Sequence, residues 1–122
     1  MSARVGGFVV EKLSAEAVLE GGAVHARLAG TATQRDVAPF EGLFARIHEA
    51  CVGSDVGEVV VDLRDVEYMN SSHFKTLVSW VGRVGALERR VAVRMLSNEK
   101  YHWQKRSLHA LRQLAAEFVS VE

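Results

Sequence analysis

The stretch Val59–Val84, VVVDLRDVEYMNSSHFKTLVSWVGRV, constrains this chain more than any other. It opens with a run rich in β-branched residues, Val59–Leu63, which reads as a buried strand ended by charge. Arg64–Met69 reads as a short connection. Asn70 is then a good N-cap, its side-chain oxygen able to accept from the amide of Ser72 or His73. Beyond it Phe74, Leu77, Val78, Val81 and Val84 recur at three- and four-residue spacing, one face of a helix. A strand therefore feeds directly into a helix whose first turn holds Ser71 and Ser72. A helix start carries free N–H groups and partial positive charge, which favours an anion. We read this turn as a place where a phosphate is put on and taken off.

The flanking sequence alternates the two periods. Phe8–Leu13 reads as a short strand, and Ala15–Leu19 fits either its continuation or a turn. Gly21-Gly22 marks a tight turn. In Ala23–Leu28 the residues Val24, Ala26 and Leu28 alternate with His25 and Arg27, as in a half-buried strand. Gly30–Thr33 reads as loop. Asp36 can cap a helix, Pro39 is tolerated in its first turn, and Phe40, Leu43, Phe44, Ile47 and Cys51 form its apolar stripe. Gly53–Gly57 connects to the central strand. After the central helix, Gly85–Arg90 turns and Val91–Leu96 is a strand. Ser97-Asn98 starts a helix over roughly Lys100–Ala116, with Leu108, Leu111, Leu114 and Ala115 inward. Phe118–Val121 is a last short strand. The expected order is β-β-α-β-α-β-α-β. It implies an α/β fold over residues 1–122, one domain with a mixed sheet of four to five strands and helices mainly on one face.

Composition narrows the function. A chain of 122 residues can bury one hydrophobic core. Fifteen basic and fifteen acidic residues balance, so no net field draws the chain to nucleic acid or to acidic lipid. Cys51 is alone, which excludes an intrachain disulfide and suits a reducing compartment. MSARVGG lacks the apolar core of a signal peptide, and no apolar run approaches the roughly 18 residues of a membrane span. The expected location is the cytoplasm, with neither nucleic acid nor membrane as a direct partner.

The central stretch resembles the signature of STAS domains, the anti-sigma-factor antagonist family. That signature is a β-branched strand ending in Asp-Leu, a short apolar-acidic connection, and Asp-Ser-Ser-Gly opening a helix. The element order matches over roughly residues 15–122. The resemblance implies a STAS-like fold and a bacterial, non-enzymatic signalling regulator of transcription that works by partner switching. The partners it implies are a GHKL-type serine kinase or anti-sigma factor, bound by the unphosphorylated form, and a PP2C-type phosphatase that restores that form. A homodimer stays open, and no cofactor is implied. Phosphorylation falls on the second serine, here Ser72, with Ser71 as the alternative. Three departures mark a variant branch. Asn70 stands where the family has Asp, and His73 where it has Gly. The chain also ends after the last strand, without the usual C-terminal helix, while Met1–Ser14 is an added segment. The segment carrying Tyr101, Trp103 and Gln104 is unlike the family.

A phosphate on Ser72 adds nearly two negative charges and three acceptor oxygens. Near a helix N-terminus the macrodipole favours it by roughly 0.3–1 kcal/mol, so the switch is expected to act on the surface rather than by unfolding. Asn70 in place of Asp removes a like charge, and His73 is expected to be able to donate to the phosphate. Ser72, Lys75, Thr76, Ser79 and Arg83 share one side of the helix. With Asn70, Ser71 and His73 they form the expected partner-binding surface, set against the alternative of a plain solvated face. Trp80 lies between that row and the apolar stripe, where a core-edge role is the simpler reading.

Other candidates carry less. His48 with Cys51, and His102 with His109, do not supply three or four metal ligands. Ser72 and His73 point roughly 100° apart on a helix, with no orienting carboxylate, which disfavours a nucleophilic pair. Asp62 and Asp65 read as polar strand-end residues rather than a cation site, and Cys51 as a small buried apolar residue. Lys100, Lys105, Arg106 and Arg112 with Tyr101 and Trp103 read as a solvated helix face. Its functional version is a second protein contact near Ser107. The competing functions are a constitutive scaffold of the same fold, which Asn70 and His73 favour, and a small-ligand sensor.

Overall fold

The computed structural model describes residues 2–122. The chain runs β1 (Ser2–Val10), β2 (Leu13–Glu20), β3 (Ala23–Ala32), α1 (Ala38–Gly53), β4 (Glu58–Met69), α2 (Ser71–Gly85), β5 (Ala92–Leu96), α3 (His102–Leu114) and β6 (Val119–Val121). All six strands join one sheet in the order β1-β2-β3-β4-β5-β6. The first two pairings are antiparallel and the other three parallel. The α/β class and the mixed sheet agree with expectation, and the strand count is six rather than four to five.

The extra strand comes from the N-terminal meander. Ala15–Leu19 belongs to a strand of its own, β2, and Phe8–Leu13 is split by a turn at Glu11-Lys12. Glu11 takes a left-handed φ of 53° there, without the Gly, Asn or Asp that advertises such a turn in sequence. The second turn uses Gly21 and Gly22, with φ of 61° and 78°. Gly30 has φ 108°, and a Cβ on it would lie 1.8 Å from the Lys12 carbonyl oxygen. Only glycine lets β3 pass the first turn, where the Thr31 amide donates to that same oxygen at 2.9 Å.

Two expected loops are strand. Thr31 and Ala32 extend β3, and Arg64–Met69 extends β4; Thr31 lies opposite Tyr68 and Ala32 opposite Met69. The extension was hidden because only every third residue of it is buried (Val66 and Met69), so no two-residue alternation shows.

Each parallel crossover steps one strand in the same direction. With the usual right-handed connection this puts the helices on one face. There Phe40, Phe44 and Ile47 of α1, Leu77 and Trp80 of α2, and Leu108 and Leu111 of α3 share one core with the inner residues of the sheet. Leu114, expected inward, is 79% exposed, because α3 ends at it and the chain turns away. The helix also starts at His102 rather than Lys100, after a turn in which Asn98 Oδ1 accepts from the Lys100 amide. Asp36 Oδ1 accepts from the Ala38 amide at 2.9 Å, but the N-cap of α1 is Val37.

Ion pairs tie several of the sheet's polar residues. Arg27 meets Asp65 at 3.0 Å and Arg64 meets Asp62 at 2.9 Å, so both carboxylates have an arginine. The Arg64 guanidinium holds the Asp62 carboxyl below the usual carboxylate range. Arg94 joins Glu122 at 2.7 Å and Glu58 at 3.5 Å. The Arg89 guanidinium reaches the end of α1, donating to the carbonyls of Cys51, Ser54 and Val56. Among the described residues no helix is long and apolar enough to cross a membrane.

Candidate protein-interaction site at the start of α2

Asn70 builds the start of α2. Its amide donates to Ala32 O at 2.8 Å, which ties the β4–α2 junction to the end of β3. Its Oδ1 accepts from the His73 amide at 3.0 Å as an N-cap, and its Nδ2 donates to Gln34 O at 3.3 Å. The same Oδ1 lies 2.7 Å from His73 Nδ1. An amide oxygen can only accept, so the chemistry of the pair puts the imidazole proton on Nδ1. His73 is 1% exposed and meets the Phe40 ring edge-on, with centroids 4.9 Å apart. Burial pushes its pKa down. This corrects the expectation for His73: the ring lies under the helix start, turned away from the surface on which Ser72 sits.

Ser71 and Ser72 are both exposed. As the first residues of a helix they have no carbonyl four residues back, so their amides point outward unpaired within α2. The two side chains part company. Ser72, Lys75, Thr76, Ser79 and Arg83 line a groove of about 330 Å³ between α2 and α1, where Glu41 and Ala45 form the opposite wall. The expected row is thus one wall of a concave surface. Phe44 and Trp80 also line it, their ring centroids 5.1 Å apart. Trp80 is 2% exposed and belongs to the core, yet its indole N–H has no acceptor among the described residues. Ser71 borders a different, larger cleft between α2 and α3, about 700 Å³, with Tyr68, Phe74, Trp103, Lys100 and Arg106.

Sequence reasoning missed how that second cleft is held. β4 outruns β5, whose pairing ends at Leu96 opposite Asp62. Beyond that point the carbonyls of Leu63, Arg64 and Val66 are met by side chains. Gln104 Nε2 donates to Leu63 O at 2.6 Å and to Val66 O at 2.9 Å, and Trp103 Nε1 donates to Val66 O at 3.0 Å. Asn98 Nδ2 donates to Arg64 O at 3.1 Å, while Gln104 Oε1 accepts from the Asn98 amide at 2.8 Å. Gln104 is 1% exposed. The available signal was its position: Gln104, Leu108 and Leu111 follow one helical stripe, so a polar residue there must find partners inside.

Among the described residues no three His, Cys, Asp or Glu side chains gather as metal ligands. The arrangement offers exposed hydroxyls, free helix-start amides and two cationic grooves, which suit contact with another macromolecule.

Two solved structures share this architecture. One is an anti-sigma factor antagonist from Mycobacterium paratuberculosis, 18% identical, with TM-score 0.59 over 84% of this chain and 81% of that chain. The other is the anti-sigma factor antagonist SpoIIAA in its unphosphorylated form, 16% identical, with TM-score 0.53 over 98% of this chain and 88% of that chain. The chain has the STAS-like fold of these anti-sigma factor antagonists. No model of a protein family matches the sequence, and neither does any curated protein.

Proposed function

We propose that this chain is a non-enzymatic, cytoplasmic partner-switching regulator of the anti-sigma-factor antagonist type, controlled by reversible phosphorylation of Ser72. The observation that carries the reading is the exposed Ser72 at the first turn of α2, beside the Lys75–Arg83 wall of a groove. The unphosphorylated groove receives a GHKL-type kinase or anti-sigma factor. A dianion on Ser72 then repels acidic groups of that partner and blocks its approach, and a PP2C-type phosphatase reverses the change. Lys75, Thr76, Ser79 and Arg83 make the contact surface, with Asn70 and Ser71 at the helix start on its border. His73 serves it from below, by fixing Asn70.

The test uses the purified chain with candidate GHKL-type kinases and ATP, read by intact mass and site mapping. One phosphate on Ser72 is expected. Ser72→Ala should then retain the kinase or anti-sigma partner in pull-down, and Ser72→Asp should lose it. Equal binding by both forms, with no modification, overturns the switch. The buried Asn70–His73 contact, a purely structural use of two motif positions, favours one second reading: a constitutive scaffold of the same fold.

A further inference from the structure

The cleft between α2 and α3 lies on the other side of Ser71 from the Ser72 groove and shares no lining residue with it. Three features coincide there. The first is an open strand edge. β4 continues to Met69 against β3, but β5 stops opposite Asp62. Side chains of Asn98, Trp103 and Gln104 take up carbonyls only as far as Val66. Glu67, Tyr68 and Met69 therefore border the cleft with no strand on that edge, and backbone groups along a strand point alternately to its two edges. The second is aromatic surface. Tyr68 is 51% exposed, and Tyr101, Trp103 and Phe74 line the cleft beside it. The third is charge. Lys100 and Arg106 are exposed cations in the lining, His102 is beside them, and Glu67 is the single acid.

We propose that this cleft binds an extended acidic segment of a partner protein, which adds to the Glu67–Met69 edge of β4. The backbone edge supplies sequence-independent pairing, and the aromatic walls take alternate side chains. The cationic rim selects acidic sequence. This goes beyond the Ser72 reading and does not depend on it.

The test uses isotope-labelled full chain and an acetylated nonapeptide that alternates Glu with Val and Phe. The same peptide with Lys for Glu, and a single-stranded oligouridylate, are run alongside. Backbone NMR shifts are expected to move at Glu67–Met69 and Lys100–Arg106, together with the Trp103 indole signal, and only with the Glu peptide. Lys100→Glu and Arg106→Glu alter exposed residues and should each weaken the Glu peptide roughly fivefold to tenfold while leaving the rest of the spectrum in place. Ser72→Asp should leave peptide binding unchanged even if Ser72 proves not to be a phosphorylation site. No shifts at millimolar Glu peptide, equal shifts with the Lys peptide, or shifts with the oligouridylate alone overturn the proposal.

Discussion

Asn70 and His73 form one unit: a single oxygen, Asn70 Oδ1, receives the His73 backbone amide at 3.0 Å and its ring Nδ1 at 2.7 Å. The two positions at which this chain departs from the Asp-Ser-Ser-Gly pattern thus answer each other. A ring in place of glycine enters the core against Phe40, and its buried N–H needs an acceptor that can also cap the helix. Asparagine meets both needs without placing a charge below the serines.

Asn70→Ala should therefore cost more than an ordinary cap. Loss of the cap costs about 1 kcal/mol, and the orphaned buried Nδ1–H adds about 1–3 kcal/mol. Asn70→Asp keeps both acceptor bonds and should cost less. Urea denaturation at neutral pH orders the three proteins, and an alanine variant no worse than the aspartate one would refute the shared-oxygen account.

Stability should fall as the medium is acidified through the histidine range. Burial lowers the His73 pKa below its ordinary 6.5. Burial, then the nearby Arg83 charge, lowers that of His48 from the same value. In both cases the unfolded chain takes up a proton before the folded chain does. Stability is full above the unfolded value, declines as pH drops below it, and levels off under the folded value. His73→Phe should flatten part of the decline between about pH 7 and pH 5 and leave the His48 share. Urea midpoints measured across that interval check the sign.

Gln104→Leu preserves bulk and removes the bonds to Leu63 O, Val66 O and the Asn98 amide. Each buried group left unpaired costs about 1–3 kcal/mol, and Val66 O keeps its bond from Trp103, so the two orphaned groups, Leu63 O and the Asn98 amide, give an expected loss of about 2–6 kcal/mol. Amide exchange should accelerate around Leu63–Val66 and in the first turn of α3 more than in the β1–β2 hairpin. Uniform acceleration would mean that the side chain only fills space.

Ser72→Asp should leave the fold intact. A negative charge in the first turn of a helix stabilises it by about 0.3–1 kcal/mol, so the urea midpoint should rise slightly or stay within error. A pronounced loss would argue for a switch that acts by unfolding α2.

The first two helices and the start of the central strand were legible because their apolar periods are strong: Phe40, Leu43, Phe44, Ile47 and Cys51 in α1 and Leu77, Val81 and Val84 in α2 are buried on the predicted faces, while Phe74 and Val78 are only partly buried. The meander was not, because Glu11-Lys12 turns without a turn residue. The reach of β4 was not, because beyond Leu63 only Val66 and Met69 are buried and no two-residue alternation shows. At the site, the exposed Ser72 row could be read from helical spacing alone. His73 could not, since a histidine beside two serines looks polar, and only the packing of Phe40 over it shows which way the ring turns.

The placing of the serine pair has a consequence for the proposed phosphorylation. Neighbouring positions on a helix are rotated by roughly 100°, and here that rotation spans the ridge between two separate hollows. Under the proposed switch, a transferase that slipped by a single residue would therefore not write a weaker version of the same message. It would address another listener, with its own preferences in charge and shape, from the same turn of helix.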